Sequence, residues 1–247
     1  MERNFRLTLA YDGTRYRGWQ RQGNTADTIQ GKLETLLTRL LSQPVEVHGS
    51  GRTDAGVHAA GQVASFRADT GMDCGALLDA LRQYLPEDIG ALSLSEAEPR
   101  FHARLSASEK TYVYRVWNSG TPCVFERRYV YVFPAALDLD AMRRAAADLC
   151  GRHDFSAFST GKKTGRAATR TLRSVTIERR GEEVRLTYTG DGFLYNMARI
   201  LTGTLLEIGA RERPRDDIPR VFQSHSRAEA GFTAPARGLC LQSVRYE

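Results

Sequence analysis

The chain has 247 residues, with 35 Lys and Arg against 29 Asp and Glu; 31 of those cations are arginine, and the formal charge is +6. An apolar content of 41% and a charged content of 26% describe a globular chain with a real core, not a disordered one. No uncharged apolar run nears the roughly 18 residues that span a bilayer, and Met1–Arg6 lacks the apolar core of a secretory signal, so a cytoplasmic protein is expected.

Phe5, Leu7, Leu9 and Tyr11 alternate with Arg6, Thr8 and Ala10, a period-two strand that stops at Asp12-Gly13. Residues 27–41 read as a helix with Ile29, Leu33, Leu36, Leu37 and Leu40 on one stripe, Asp27 or Thr28 as cap and Pro44 beyond its end. Val45–Val47 is a short strand, a Gly-rich loop follows, and Gln62–Arg67 is another strand. Asp73 caps a second helix with Ala76, Leu77, Ala80, Leu81 and Tyr84 on one face, and Ile89–Leu94 closes a β-α-β-β-α-β unit of ferredoxin-like type.

The second half repeats the pattern loosely. Thr111–Trp117 and Tyr129–Phe133 are strands, and Asp138 or Asp140 opens a helix carrying Met142, Ala145, Ala146 and Leu149. Leu172–Glu178 and Val184–Thr189 form a hairpin turning at Arg180-Gly181. A long helix covers 193–208, a short one follows Pro219 within 211–236, and Leu239–Arg245 is the last strand. The expected fold is α+β: two ferredoxin-like halves, 1–105 and 106–247, with antiparallel sheets, helices on one side and an active-site cleft between them.

Charge is uneven. Residues 1–105 carry 12 basic and 13 acidic groups, while 106–247 carry 23 and 16. Phe155–Ile177 holds no acid but contains Lys162, Lys163, Arg166, Arg170 and Arg173. A basic half suits a polyanionic partner, although arginine bias also follows from base composition. Cys74, Cys123, Cys150 and Cys240 form no C-x-x-C pair, and the five histidines lack ligand spacing, so neither a metal nor a disulfide framework is expected.

Three stretches carry chemistry. Gly49-Ser50-Gly51-Arg52-Thr53-Asp54-Ala55-Gly56-Val57-His58-Ala59 is a Gly-rich loop that fits neither a Walker phosphate loop, which needs Gly and Lys at 54 and 55, nor a dinucleotide fingerprint, which Asp54 breaks. It is either an ordinary strand connection or a loop presenting Arg52 and Asp54 to a ligand. Arg199 is the only charged residue between Asp191 and Glu207, in a helix apolar enough to be buried. A buried guanidinium needs a partner, and Asp54 is the first candidate; snorkelling to solvent is the alternative. Tyr11–Gln22 interleaves Tyr16 and Trp19 with Arg15, Arg17 and Arg21, the composition of a single-strand RNA contact or of a surface loop with Trp19 tucked inward.

The Gly51–Ala59 block resembles the active-site motif of the tRNA pseudouridine synthase A family. Four further blocks agree in family order: Tyr11-Asp12-Gly13-Thr14 with Gly18-Trp19-Gln20, Ala107 with Tyr112-Val113-Tyr114, Gly192–Met197 with Arg199-Ile200, and Ala234-Pro235 with Gly238-Leu239. Lys110, where arginine is frequent, and Ala198, where valine is common, depart mildly from the pattern. The resemblance implies isomerisation of uridine to pseudouridine at positions 38 to 40 of the tRNA anticodon stem-loop. It implies Asp54 as the catalytic aspartate, Tyr112 packing on the target base and Arg199 pairing with Asp54. It also implies a homodimer binding tRNA, and no cofactor. Arg52, Arg15, Tyr16 and Arg17 are candidate RNA contacts. The competing reading is a non-catalytic RNA-binding protein on the same fold. A methyltransferase lacks its nucleotide-type loop, and a glycoside hydrolase would need a second placed carboxylate.

Overall fold

The alternation at the start of the chain builds β1 (Glu2–Tyr11), whose Phe5, Leu7, Leu9 and Tyr11 face the core. The structure is a computed structural model that describes residues 2–161 and 164–246; Lys162 and Lys163 of the basic run lie outside the described residues. The chain divides into two compact units, Met1–Ser108 with Leu241–Glu247, and Glu109–Cys240.

In the first unit β1 is followed by α1 (Ile29–Leu41), β2 (Val47–Gly49), β3 (His58–Asp69), α2 (Cys74–Tyr84) and β4 (Ile89–Glu96). The strand order is β4-β1-β3-β2 with every pairing antiparallel, the ferredoxin-like arrangement. The strand β10 (Leu239–Tyr246) is also a neighbour of β3. Thr28 caps α1 by accepting from the Gly31 amide at 3.2 Å, while Asp27 pairs with Lys32 at 3.1 Å. Ile29, Leu33, Leu36 and Leu37 are the buried stripe of α1; Leu40 is only half-buried. Asp73 caps α2 through the Ala76 amide at 2.9 Å. Of the expected α2 stripe only Leu77 and Leu81 are buried; Tyr84 lies open under the Arg39 guanidinium. The strand expected at Val45–Val47 starts two residues later. Side chains of α1 take the amides there, Thr38 Oγ1 that of Val45 and Glu34 Oε1 that of Val47.

The second unit contains the main part of β5 (Ala107–Trp117), then β6 (Tyr131–Val132), α3 (Leu139–Asp148), β7 (Gly151–Asp154), β8 (Thr169–Arg180), β9 (Glu183–Gly190), α4 (Met197–Gly209) and α5 (Ile218–Ser224). Its order is β5-β9-β8-β7, antiparallel, with β6 adding two parallel residues against Val116 and Trp117. The relation of β5, β9 and β8 repeats that of β1, β3 and β2, and β7 extends the edge. Asp138 caps α3. The hairpin turns at Gly181-Glu182, one residue beyond the expected place, because Arg180 still pairs with Glu183 and Gly181 supplies a φ of +59°.

The apolar run from 193 does not become helix until Met197. Asn196 takes a left-handed φ of 60°, and the Met197 amide turns back to the Leu194 carbonyl at 3.1 Å. From there α4 is buried on almost every side, and its hydroxyls are satisfied within the helix: Thr202 donates to Ala198 O at 2.8 Å and Thr204 to Ile200 O at 2.9 Å. The segment 230–234 lies directly on it, so close that a Cβ on Gly203 would stand 1.9 Å from the Phe232 carbonyl oxygen.

Pro219 falls in the first turn of α5, where its missing amide costs nothing. Just before that helix, Asp217 is buried between Arg213 and Arg220, whose Nε donates to it at 2.5 Å. Burial opposes the charged form, yet the hydrogen bonds from Arg220 and Arg213 outweigh it and hold the carboxyl below its ordinary pKa. A folded pKa below the unfolded one gives stability that is complete above the unfolded value and lost as pH falls through the folded one. Urea unfolding from pH 7 to the acid side of pH about 4 should therefore show Asp217→Asn with a shallower loss than wild type. Equal slopes would remove the pair from the acid response.

Candidate active site

Asp54 sits on the connection between β2 and β3, and that loop is ordered by its own residues. The Val57 amide donates to the Asp54 carbonyl at 3.1 Å, and Gly56 at the third turn position has φ +77° while Ala55 keeps a negative φ. These are the marks of a type II turn, which needs glycine there. The Asp54 side chain is half-buried at this turn, and Arg52 is exposed with no hydrogen-bond or ion-pair partner among the described residues.

Beneath the turn runs a chain of buried polar groups. Ser50 Oγ donates to Gln62 Oε1 at 2.6 Å, Gln62 Nε2 donates to the Gly51 carbonyl at 3.0 Å and to the Tyr11 hydroxyl at 3.3 Å, and that hydroxyl meets Thr53 Oγ1 at 2.8 Å. Ser50 and Gln62 are fully buried. Leaving any member without its partner would cost about 1–3 kcal/mol. No local pattern in the sequence marks this network, and Gln62 reads only as a strand residue.

The segment 12–19 closes over the same loop. Trp19 N–H donates to Thr53 O at 3.0 Å, Gly56 N–H to Tyr16 O at 3.3 Å, and Gly13 N–H to His58 Nδ1 at 3.0 Å. A Cβ on Gly18, whose φ is +95°, would lie 2.7 Å from Thr53 O, and one on Gly49 would strike the Trp19 ring at 2.4 Å. Tyr11, Tyr16 and Trp19 are all buried. The Tyr16 hydroxyl donates to Asp88 Oδ1 at 2.6 Å and Arg15 pairs with Asp88 Oδ2 at 2.7 Å. Arg17 is exposed, and its side chain has no such partner among the described residues. The aromatics of this stretch therefore pack the loop, with Arg17 and Arg52 left at the surface.

Tyr112 and Arg199 belong to the second unit. Tyr112 lies on β5 opposite Tyr188, is buried, and meets the Phe193 ring edge-on at 4.9 Å. Arg199 leaves α4 half-buried. Its Nε donates to Ala234 O at 2.7 Å and its Nη1 to Asn196 Oδ1 at 2.7 Å, while Ala234 N–H returns a bond to Arg199 O at 3.1 Å. Asn196 in turn donates to Thr160 Oγ1 at 2.8 Å. Two uncharged oxygens thus help to orient the guanidinium, for which the sequence offers Asp54 as first candidate and solvent as the alternative. Burial pushes the neighbouring Tyr114 phenol well above its ordinary pKa, so its hydroxyl stays a donor to Pro235 O at 2.7 Å.

Among the described residues no group of three or more His, Cys, Asp or Glu could hold a metal ion, and no helix is long and apolar enough to cross a membrane.

The α+β chain thus presents Arg52 and Asp54 on a braced Gly-rich turn. A family profile described as tRNA pseudouridine synthase matches residues 8–105 and 145–247. The chain is 41% identical over 243 residues to tRNA pseudouridine synthase A of Bacillus sp. (strain KSM-64), covering 98% of this chain and 99% of that one. It is 42% identical over 244 residues to tRNA pseudouridine synthase A of Acetivibrio thermocellus, covering 99% and 100%. A third relative, tRNA pseudouridine synthase A 1 of Clostridium tetani, is 40% identical over 244 residues, again covering 99% and 100%. This chain belongs to the tRNA pseudouridine synthase family, and is with it an isomerase.

Proposed function

We propose that the chain converts uridine to pseudouridine at positions 38, 39 and 40 of the tRNA anticodon stem-loop, with Asp54 as the essential carboxylate. The observation that carries this reading is the braced type II turn: main-chain bonds and glycines fix the backbone that presents Asp54. The bond from ribose C1′ to uracil N1 breaks, the base turns, and a bond from C1′ to C5 forms. C5 then gives up its proton and N1 gains one, so the reaction is redox-neutral. An ionised Asp54 can begin it as a nucleophile at C1′ or as a base at C2′. The target nucleotide leaves its stack, and Tyr112 replaces part of the lost stacking. Arg199 keeps Asp54 ionised, and Arg52 and Arg17 are free to meet phosphate. In this reading Asp54, Tyr112 and Arg199 act on one nucleotide, and a cytoplasmic homodimer binds the tRNA.

Incubating the purified protein with unmodified tRNA and mapping pseudouridine tests the reading: conversion is expected at 38, 39 and 40, and conversion confined to other positions would overturn the site assignment. Tyr112→Phe should bind tRNA within about threefold of wild type yet lose about 10-fold or more in single-turnover rate. A wild-type rate would leave the ring, and not the hydroxyl, as the working part.

A further inference from the structure

The segment that closes over the Asp54 turn is itself fastened at one carboxylate. Asp88 lies in the connection between α2 and β4. Its Oδ1 accepts the Tyr16 hydroxyl at 2.6 Å, its Oδ2 accepts Arg15 Nε at 2.8 Å and Nη2 at 2.7 Å, and its main-chain carbonyl accepts the Asp12 amide at 3.0 Å. The Asp88 side chain is only 15% exposed, so water competes weakly for these bonds. Charge-assisted bonds of this length are the strong ones.

From Asp88 the path to the turn is short. The Tyr16 side chain is held by Asp88, and the Tyr16 carbonyl holds the Gly56 amide, two residues from Asp54 in the same turn. On either side, Gly13 touches Val57 and Gly18 touches Thr53 and Asp54 through backbone contacts that admit no Cβ. We propose that Asp88 is a positioning residue for the isomerisation: by fixing Tyr16 and Arg15 it holds residues 13–19 against the turn that carries Asp54. The proposal rests on the reading of Asp54 as the essential carboxylate. Both Asp88 oxygens are already occupied by protein donors, which suits an anchor and not a group that exchanges protons with substrate. Burial, followed by the Asp88 bond and charge, raises the Tyr16 phenol above its ordinary pKa, so the hydroxyl remains a donor throughout the working pH range. Displacement of a catalytic group by about 1 Å is enough to cost on the order of 100-fold in rate.

The test compares Asp88→Ala, Asp88→Asn and Tyr16→Phe by amide hydrogen exchange, single-turnover pseudouridine formation and tRNA affinity. In Asp88→Ala the Trp19 and Gly56 amides should exchange at least about 10-fold faster, while β1 amides such as Leu7 stay protected. The single-turnover rate should fall by about 10- to 100-fold with Kd within about threefold, and the pH–rate profile should keep its shape at a lower plateau. Asp88→Asn keeps an acceptor for the Tyr16 hydroxyl and should recover much of the rate; Tyr16→Phe should reproduce most of the Asp88→Ala loss. Wild-type exchange at Trp19 and Gly56, or a wild-type rate in Asp88→Ala, overturns the proposal. So does exchange that rises equally at Leu7, because Asp88 would then be a general stability residue. If the unmutated protein forms no pseudouridine, the Asp54 reading falls; loosened exchange at Trp19 and Gly56 would still establish the anchor, and unchanged exchange would overturn it.

Discussion

Asp54→Ala is expected to abolish tritium release from 5-tritiated uridine in tRNA, a loss of about 10⁴-fold or more, with tRNA affinity within about threefold of wild type. The affinity should survive because main-chain bonds and glycine conformations shape the turn. The Asp54 carbonyl, the Gly56 backbone conformation and the Thr53 bonds to Trp19 and Tyr11 all remain in the alanine variant. What disappears, on the proposed reading, is the group that attacks C1′ or takes the C2′ proton. Turnover within 10-fold of wild type would transfer the chemistry elsewhere and favour a role in RNA binding alone.

Gly13→Ala should be among the most damaging of the small substitutions, and it falls at the Asp54 turn. A Cβ at residue 13 would stand 2.0 Å from the Val57 carbonyl oxygen and 2.6 Å from its carbon, so backbone must move against backbone. The expected cost is about 3 kcal/mol or more, read as a drop in the midpoint of urea unfolding, and activity should be lost even where the variant is fully folded. Gly23→Ala is the internal control: nothing lies within 4 Å of the added methyl, and the midpoint should move by less than about 0.5 kcal/mol in equivalent stability. Matching midpoints for the two variants would mean that residues 12–19 yield to the methyl without loss.

The elements governed by local rules were legible in the sequence. Period-two alternation marked β1 and β5, Asp73 marked the start of α2, and of the paired candidates Asp27 or Thr28 and Asp138 or Asp140 the caps are Thr28 and Asp138. Features set by other parts of the chain were not. The strand β7, Gly-Arg-His-Asp, has no apolar alternation and exists because β8 offers it an edge. The start of α4 is decided by Asn196, whose left-handed backbone is secured through Thr160, 36 residues earlier. At the site, Asp54 stands out by its neighbours, whereas nothing local in the sequence marks Asp88. The Tyr11–Gln22 stretch shows the sharper limit. Composition identified rings and arginines beside glycines, but could not say that the glycines admit the backbone of another loop and turn the rings inward.

The assignment of residues 241–247 to the first unit bears on the order in which this protein can be made. Residues 1–108 leave the ribosome early, yet β3 has no β10 neighbour until residues 239–246 have followed. For most of synthesis the strand that leads out of the Asp54 turn keeps backbone groups unpaired, the condition in which nascent sheets associate wrongly. The segment that completes β3 is separated from it by all of Glu109–Cys240, so the last pairing closes a long loop and is expected to be slow. The turn that presents Asp54 is thus formed from early residues, but the sheet behind it is finished only by late ones.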